Sequence, residues 1–415
     1  MHHRYPCGSS RRDFLTGAVT TAATVPILGG LASAEEPESK PSPAFANVTH
    51  HGGPTEPRGK LGAPGLYPGR VVEVQNPSMI KNGVKNREAI NKSMAAGLTK
   101  LTGSPDVTSA WRTFFEPGDV VGIKVVPNGQ PYAHSSFELV LETIEGLKSA
   151  GVKTKDIFVY DRYRGEFMQA GYHKILPEGI RWGGLDPAGN QFQVDFPDFR
   201  DDPIAGFDKD AYVWMDLIPY GDNPKDDRLY RSHLGTLVSK VVNKIVAIPV
   251  LKDHGAAGVT GALKNMSHGS VNNVARSHSN NFTNVCNQFI PQVVTHPLIR
   301  EKFVLQIMDG IRGVWQKGPF AVKEFTWEYN GLLFSTDPVA MDHVEWDIVD
   351  AKRVIEKLPR VGASGKIALD PLGTEGFDVR QPQHIALAGA LGMGNFDFKS
   401  PRGRRLSIQH QVVKV

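Results

Sequence analysis

Cysteine is nearly absent. The chain of 415 residues holds two, Cys7 in the N-terminal segment and Cys286 in the body. One body thiol cannot close an intramolecular disulfide, a Cys-rich zinc site or an iron–sulfur cluster. No iron–sulfur cofactor is therefore expected, and a metal would need His, Asp or Glu ligands. An excess of one charge is also missing. Lys and Arg number 47 against 43 Asp and Glu, a net of +4. Three Arg against one Asp in residues 1–34 leave about +2 for the rest. A nearly neutral body is a poor nucleic-acid binder, and no run of five or more like charges forms a basic tail. Beyond the N-terminal segment, no stretch has the ~18 uninterrupted apolar residues of a membrane span. The motifs GxxxxGK[ST] and G-x-G-x-x-G do not occur, which removes the P-loop and the dinucleotide fingerprint. No internal repeat of fixed period is evident.

What is present begins with length and an apolar content of 40%, enough for one large domain or two ordinary ones with a sizeable core. The N-terminus reads Ser9-Ser10-Arg11-Arg12-Asp13-Phe14-Leu15, then a mild apolar run from Thr16 to Leu31 and the small-x-small pattern Ala32-Ser33-Ala34. Paired arginines before an apolar stretch signal twin-arginine export. Residues 1–34 are read as that signal, with cleavage after Ala34 and a periplasmic or otherwise exported body. The expected partner at this stage is the twin-arginine translocation machinery. It carries folded proteins, so a metal or nucleotide-derived cofactor is compatible with the route.

Residues 35–69, rich in Pro, Gly, Ser and charge, read as a linker or extended arm. The body spans 70–415. A short strand is expected at 70–74 and a helix at 86–101. Val120–Val126 reads as a strand buried on both faces. Ser135-x-x-Glu138 reads as a capping box, and Phe137, Val140, Leu141, Ile144 and Leu147 recur at helical spacing behind it. Ile157–Tyr160 is the next strand. Strand, helix, strand makes a βαβ unit, so the fold class is α/β with a central, mostly parallel sheet and flanking helices. Residues 183–227 read as a loop-rich insertion. Val241–Val250 reads as one buried strand and 284–294 as a helix. A strand at 303–308 is expected to end at Asp309-Gly310. Another at 331–335 leads into a helix opened by Asp337-Pro338.

Ligands of open α/β sheets bind beyond the carboxyl ends of the strands. The polar residues at the expected ends are Lys124 and Asn128, Asp161 and Arg162, Lys252 with Asp253 and His254, Asp309, and Ser335 with Asp337. The densest stretch runs from Lys252 to Gly269. Glycines there, Gly258 and Gly261 among them, would let backbone N–H groups approach a ligand. Thr260 and Asn265 add polar contacts. Lys252, Lys264, His254 and His268 supply cationic donors and proton-transfer groups, and Lys264 and His268 would share a helix face. Arg276 and His278 follow on a turn marked by Asn272-Asn273. The pattern suits a small anionic ligand, a carboxylate or phosphate. Lys252, Lys264, His254 and His268 are the catalytic candidates. Lys124, Asn128, Asp253, Gly258, Thr260, Gly261, Asn265, Asp309 and Asp337 are the ligand-binding candidates.

Several of these segments, in this order, resemble the DUF362 family of prokaryotic proteins. They are Gly118–Lys124, the helix at 136–150, Pro249–His254, Gly258–Asn265, Met308–Ile311, Gly318-Pro319 and Ser335–Asp342. The resemblance implies a fold and assigns no reaction. Some relatives carry ferredoxin-like cysteine motifs, which this chain lacks. A fainter similarity is to the lactate racemase family, which binds a nickel-pincer nucleotide and isomerises 2-hydroxy acids. It lies in Gly118–Ile123, the following helix and the Lys/His-rich loop. It implies that Lys252 or Lys264 holds a cofactor while His254 or His268 exchanges a proton. The expectation is a small-molecule enzyme, isomerase-like in one form, and the alternative is a non-catalytic exported binding protein for an anion or metal.

Overall fold

Short β-branched runs interrupted by amphipathic helices build the sheet of this computed structural model, which describes residues 48–54, 59–189, 202–216, 223, 225–278, 286–361, 382–396 and 408–415. The Arg11-Arg12 motif and the cleavage pattern at Ala34 lie outside the described residues. All of the latter belong to one unit, Pro43–Val415. From one edge, the main sheet runs Gln409–Lys414, Arg70–Gln75, Thr326–Ser335, Phe303–Val314, Lys244–Ala247, Val121–Lys124, Ile157–Tyr163 and Arg181–Asp186. The last five are mutually parallel. Thr326–Ser335 is antiparallel to both its neighbours, and the terminal Gln409–Lys414 is parallel to Arg70–Gln75. The α/β class with a mostly parallel sheet is therefore correct.

Alternate residues of each strand feed two hydrophobic layers. Val121, Ile123, Val159 and Val246 pack with Leu98, Ile144 and Leu147 from the helices Arg87–Thr102 and Phe137–Ser149. Phe158, Tyr160, Ile245 and Ala247 pack with Leu263, Phe289 and Met341 from Gly261–His268, Cys286–Val294 and Pro338–Ile355 on the other face. A separate antiparallel sheet joins Val48–His51, Phe207–Met215 and Arg231–Gly235. The strand Phe207–Met215 lies within the segment read as loop-rich.

Three local expectations change. Val241–Val250 is not one strand. Lys244–Ala247 and Val250–His254 are separate, and both pair with Phe303–Val314 at different heights. Pro249, which has no N–H for a ladder, stands between them. The strand at 303 does not stop at Asp309-Gly310 but runs to Val314. The capping box is also absent. The helix starts after Ser136, whose side chain makes no cap bond. Ser135 Oγ instead accepts from Val126 N at 2.8 Å and donates to Ile248 O at 2.6 Å. Asp309 does the work from inside the sheet: its Oδ2 accepts from Ser136 N at 2.6 Å and its Oδ1 from Ile311 N at 3.0 Å.

Candidate functional site

The chain leaves Val121–Lys124 toward Ile157–Tyr163 and Arg181–Asp186 on one side, then returns to place Lys244–Ala247 on the other. This reversal is the switch point where doubly wound sheets bind ligands. Lys124 is the last residue of its strand and lies at that point. Its buried Nζ donates to Asp161 Oδ1 at 2.6 Å, Asn265 Oδ1 at 2.9 Å and Val125 O at 2.7 Å. The three residues tie two strand ends to the helix Gly261–His268.

Beside this anchor sit donors with no acceptor among the described residues. Asn265 Oδ1 is taken by Lys124, so its amide nitrogen is fixed as Nδ2, and that atom is buried without a partner. The Nε and Nη2 of the buried Arg162 are also unpartnered. Lys264 is 8% exposed, and its ammonium has no hydrogen-bond acceptor among the described residues. His254 Nδ1 accepts from Ala256 N at 3.0 Å and Ala257 N at 3.2 Å, so the neutral ring carries its proton on Nε2, which has no partner there either. The charges of Arg162 and Lys264 act on each other, and the charge of Lys264 reaches His254 and His268. Burial lowers Lys264 to about 8 and keeps His254 and His268 well below the usual imidazole value, with the Lys264 charge adding to the effect on both rings. A fully buried donor left unsatisfied, as Asn265 Nδ2 and the Arg162 Nε and Nη2 are among the described residues, costs about 1–3 kcal/mol.

A cleft of ≈ 460 Å³ is lined by Tyr163, Gly165, Glu166, Gln169 and the turn Pro187–Gly189; none of the donors above is in its wall, and Tyr163 follows Arg162 in the chain. Arg162 stacks on the Tyr163 ring at 4.6 Å. Burial, with the Asp161 charge second, pushes the Glu166 carboxyl up to about 7. Glu166 thus joins the site as a group able to give or take a proton near neutrality. It was not legible in the sequence, where it is one acidic residue among many; the structure places it in the short helix Arg164–Ala170.

Other candidates are held by the protein itself. Lys252 Nζ donates to Asn128 O at 2.9 Å, Asn128 Oδ1 at 2.6 Å and Pro319 O at 3.0 Å. These acceptors are neutral, and burial brings the ammonium down to about 7. Asp253 Oδ1 accepts from Gly318 N at 2.7 Å, and Thr260 Oγ1 donates to Asp253 O at 3.3 Å. A Cβ at Gly261, where φ is +53°, would collide with the Asp342 carboxylate, and one at Gly258, with φ +80°, would crowd Pro382 and Val361. The amides opened by Gly261 are already used: Ala262 N and Leu263 N donate to Asp342 at 2.5 and 2.9 Å. Asp337 accepts from Ala340 N, Gly69 N and Asn395 N and so ties three segments. Asp309 lies mid-strand and caps a helix, as described. Arg276, placed on a turn by the sequence, is wholly buried and donates to Met215 O, Tyr230 O and Val213 O of the small sheet.

The structure thus defines an α/β protein with a donor-rich interior at the carboxyl ends of its parallel strands. The model of the family described as "Domain of unknown function (DUF362)" matches residues 121–347, more than half of the chain, and the chain belongs to this family. The matched span runs from the Val121–Lys124 strand into the helix that carries Asp342 and so encloses the whole site. No curated protein matches the chain.

Proposed function

We propose that the protein is a small-molecule enzyme whose switch-point donors bind an anionic ligand, a carboxylate or phosphate. Arg162, Lys264, Asn265 and His254 donate to the anion. Glu166 and His268 are the groups placed to move a proton. The observation that carries this reading is the set of buried donors without acceptors around Lys264 at the switch point. A carboxylate or phosphate offers the oxygen lone pairs those donors lack, and charge-assisted hydrogen bonds are the stronger kind. An isomerase-like reaction at a 2-hydroxy acid is the form the fainter sequence similarity favours.

The test is calorimetric titration of the full chain with inorganic phosphate and with L-lactate, alongside NMR of lactate in D2O. At least one anion should bind, and Arg162→Met and Lys264→Met should each weaken it at least tenfold. Deuterium entering the lactate α-carbon marks the isomerase-like form. Binding without turnover of any anion tried leaves the non-catalytic alternative. Affinity unchanged in both variants overturns the proposal.

Export of the folded body by the twin-arginine route belongs to the same proposal and is supported by Arg11-Arg12 and the apolar run behind them. Replacing both arginines with lysine should hold the chain in the cytoplasm. Unchanged export of that variant would exclude the route.

A further inference from the structure

Three elements meet beyond the anion-binding donors. His268 ends the helix Gly261–His268, His278 ends the 3-10 stretch Val274–His278, and Cys286 begins the helix Cys286–Val294. One nitrogen from each imidazole and the Cys286 sulfur lie within 4.8 Å of one another. Cys286 Sγ stands 3.5 Å from His278 Nε2. With bonds of about 2.3 Å to sulfur and 2.0–2.1 Å to nitrogen, the S···N edge of a tetrahedral site is about 3.6 Å, so this pair is already at ligand spacing. The two imidazole rings are 5.6 Å apart.

The outer contacts also suit a metal. His278 Nδ1 sits 2.7 Å from Ser277 Oγ, leaving Nε2 directed at the sulfur. His268 Nδ1 sits 3.1 Å from Ser267 Oγ. Metal-bound histidines are usually oriented in this way through their second nitrogen. The remaining His268 nitrogen, Nε2, now rests 2.9 Å from Ser277 Oγ, a hydroxyl that also donates to Val274 O and so keeps an acceptor when the ring turns to an ion. Besides His278 Nε2, Cys286 Sγ makes only long contacts among the described residues, 3.4 Å to Ser277 O and 3.9 Å to Ser277 Oγ.

We propose that His268, His278 and Cys286 form a three-ligand site for a zinc-class divalent ion. One thiolate and two imidazoles select a borderline-soft transition metal over magnesium or calcium, which prefer oxygen. Three protein ligands leave the fourth position open to water or to an anion, as in catalytic rather than structural zinc sites. As the ion binds, the Cys286 thiol releases its proton to solvent and the sulfur lone pair forms the metal bond, so no oxidation or reduction occurs. The anion donors Arg162, Lys264, Asn265 and His254 are not among its ligands, but it takes His268, and an ion bound there leaves proton transfer to Glu166. It revises the expectation, drawn from a single body cysteine, that a metal would be held without sulfur.

Cobalt titration of the chelator-stripped full chain tests it. Co2+ should bind once per chain and give a thiolate-to-cobalt charge-transfer band in the near ultraviolet with intense tetrahedral bands in the visible. Zn2+ should displace it. Cys286→Ser should lose the charge-transfer band, and His278→Ala should weaken cobalt at least tenfold. His278 is exposed, so that variant should keep its fold, as circular dichroism would record. Weak octahedral absorption in the parent chain, or identical spectra for the parent and Cys286→Ser, overturns the site. Phosphate and lactate affinities are read separately from the cobalt spectra, so the anion site and the metal site fail separately, and only the role of His268 depends on both.

Discussion

Lys124 and Lys264 are both buried, and their surroundings give them opposite energetic roles. Lys124 has the Asp161 carboxylate and two neutral oxygens on its ammonium. Removing it would leave Asp161, 6% exposed, as an unpaired interior charge. Breaking a buried pair in this way costs about 3–5 kcal/mol, and Lys124→Met should lose that much in urea unfolding. Lys264 has no acceptor among the described residues, and burial lowers it from 10.5 to about 8. A base whose folded pKa is depressed opposes folding. The penalty is complete below pH 8 and is relieved as pH rises from 8 to 10.5. At pH 7 a shift of this size corresponds to roughly 3 kcal/mol. Lys264→Met should therefore stabilise the protein by up to that order at pH 7 while weakening anion binding at least tenfold. Stability gained where function is lost is the mark of a group retained for its chemistry. A less stable Lys264→Met variant would show that the ammonium has a structural partner instead.

At the scale of elements, the helix Arg87–Thr102 lies on the sheet through a glycine. A Cβ at Gly97 would collide with the ring of Phe334 in the strand Thr326–Ser335. Alanine is the better helix former by about 1 kcal/mol, but overpacking a filled core costs ~1–3 kcal/mol. Gly97→Ala should therefore be net destabilising in urea unfolding, and Gly97→Ala with Phe334→Leu should recover part of the loss. This contact was not legible in the sequence, because a glycine inside a helical pattern shows a weak helix but not which ring occupies its place. The parallel strands and the helix behind Val121–Lys124 were legible, since period and β-branching are local properties. The partners of polar residues were not. Asp309-Gly310 has the composition of a turn, yet Asp309 sits mid-strand because a helix start from another part of the chain needs its carboxylate. Likewise the Lys252–Gly269 stretch announced its chemistry, but that Lys252 is tied down depends on Asn128 and Pro319, both distant in sequence. Cys286 was visible only as a lone thiol until folding set two imidazoles beside it.

For the molecule as a whole, the last strand closes the sheet. Gln409–Lys414 pairs in register with all six residues of Arg70–Gln75, more than 330 positions earlier. It covers the edge of a strand whose Val71, Val72 and Val74 are fully buried. His410 Nε2 also reaches Glu73 Oε2 at 2.7 Å. Burial acts to raise the Glu73 carboxyl, but hydrogen bonds from His410, Tyr329 and Gln75 outweigh it and hold the group below its ordinary 4.5. Its contribution to stability is present above pH 4.5 and is lost as pH falls through the lower, folded value. Deleting residues 408–415 removes the ladder and the His410 contact together. An apolar strand edge with free N–H and C=O groups is a template for association, so the truncated chain should be less stable and should self-associate through Arg70–Gln75. Light scattering after size exclusion would show the larger species. A truncated chain that matches the full chain in size and unfolding midpoint would mean that the Thr326–Ser335 contact alone secures this edge.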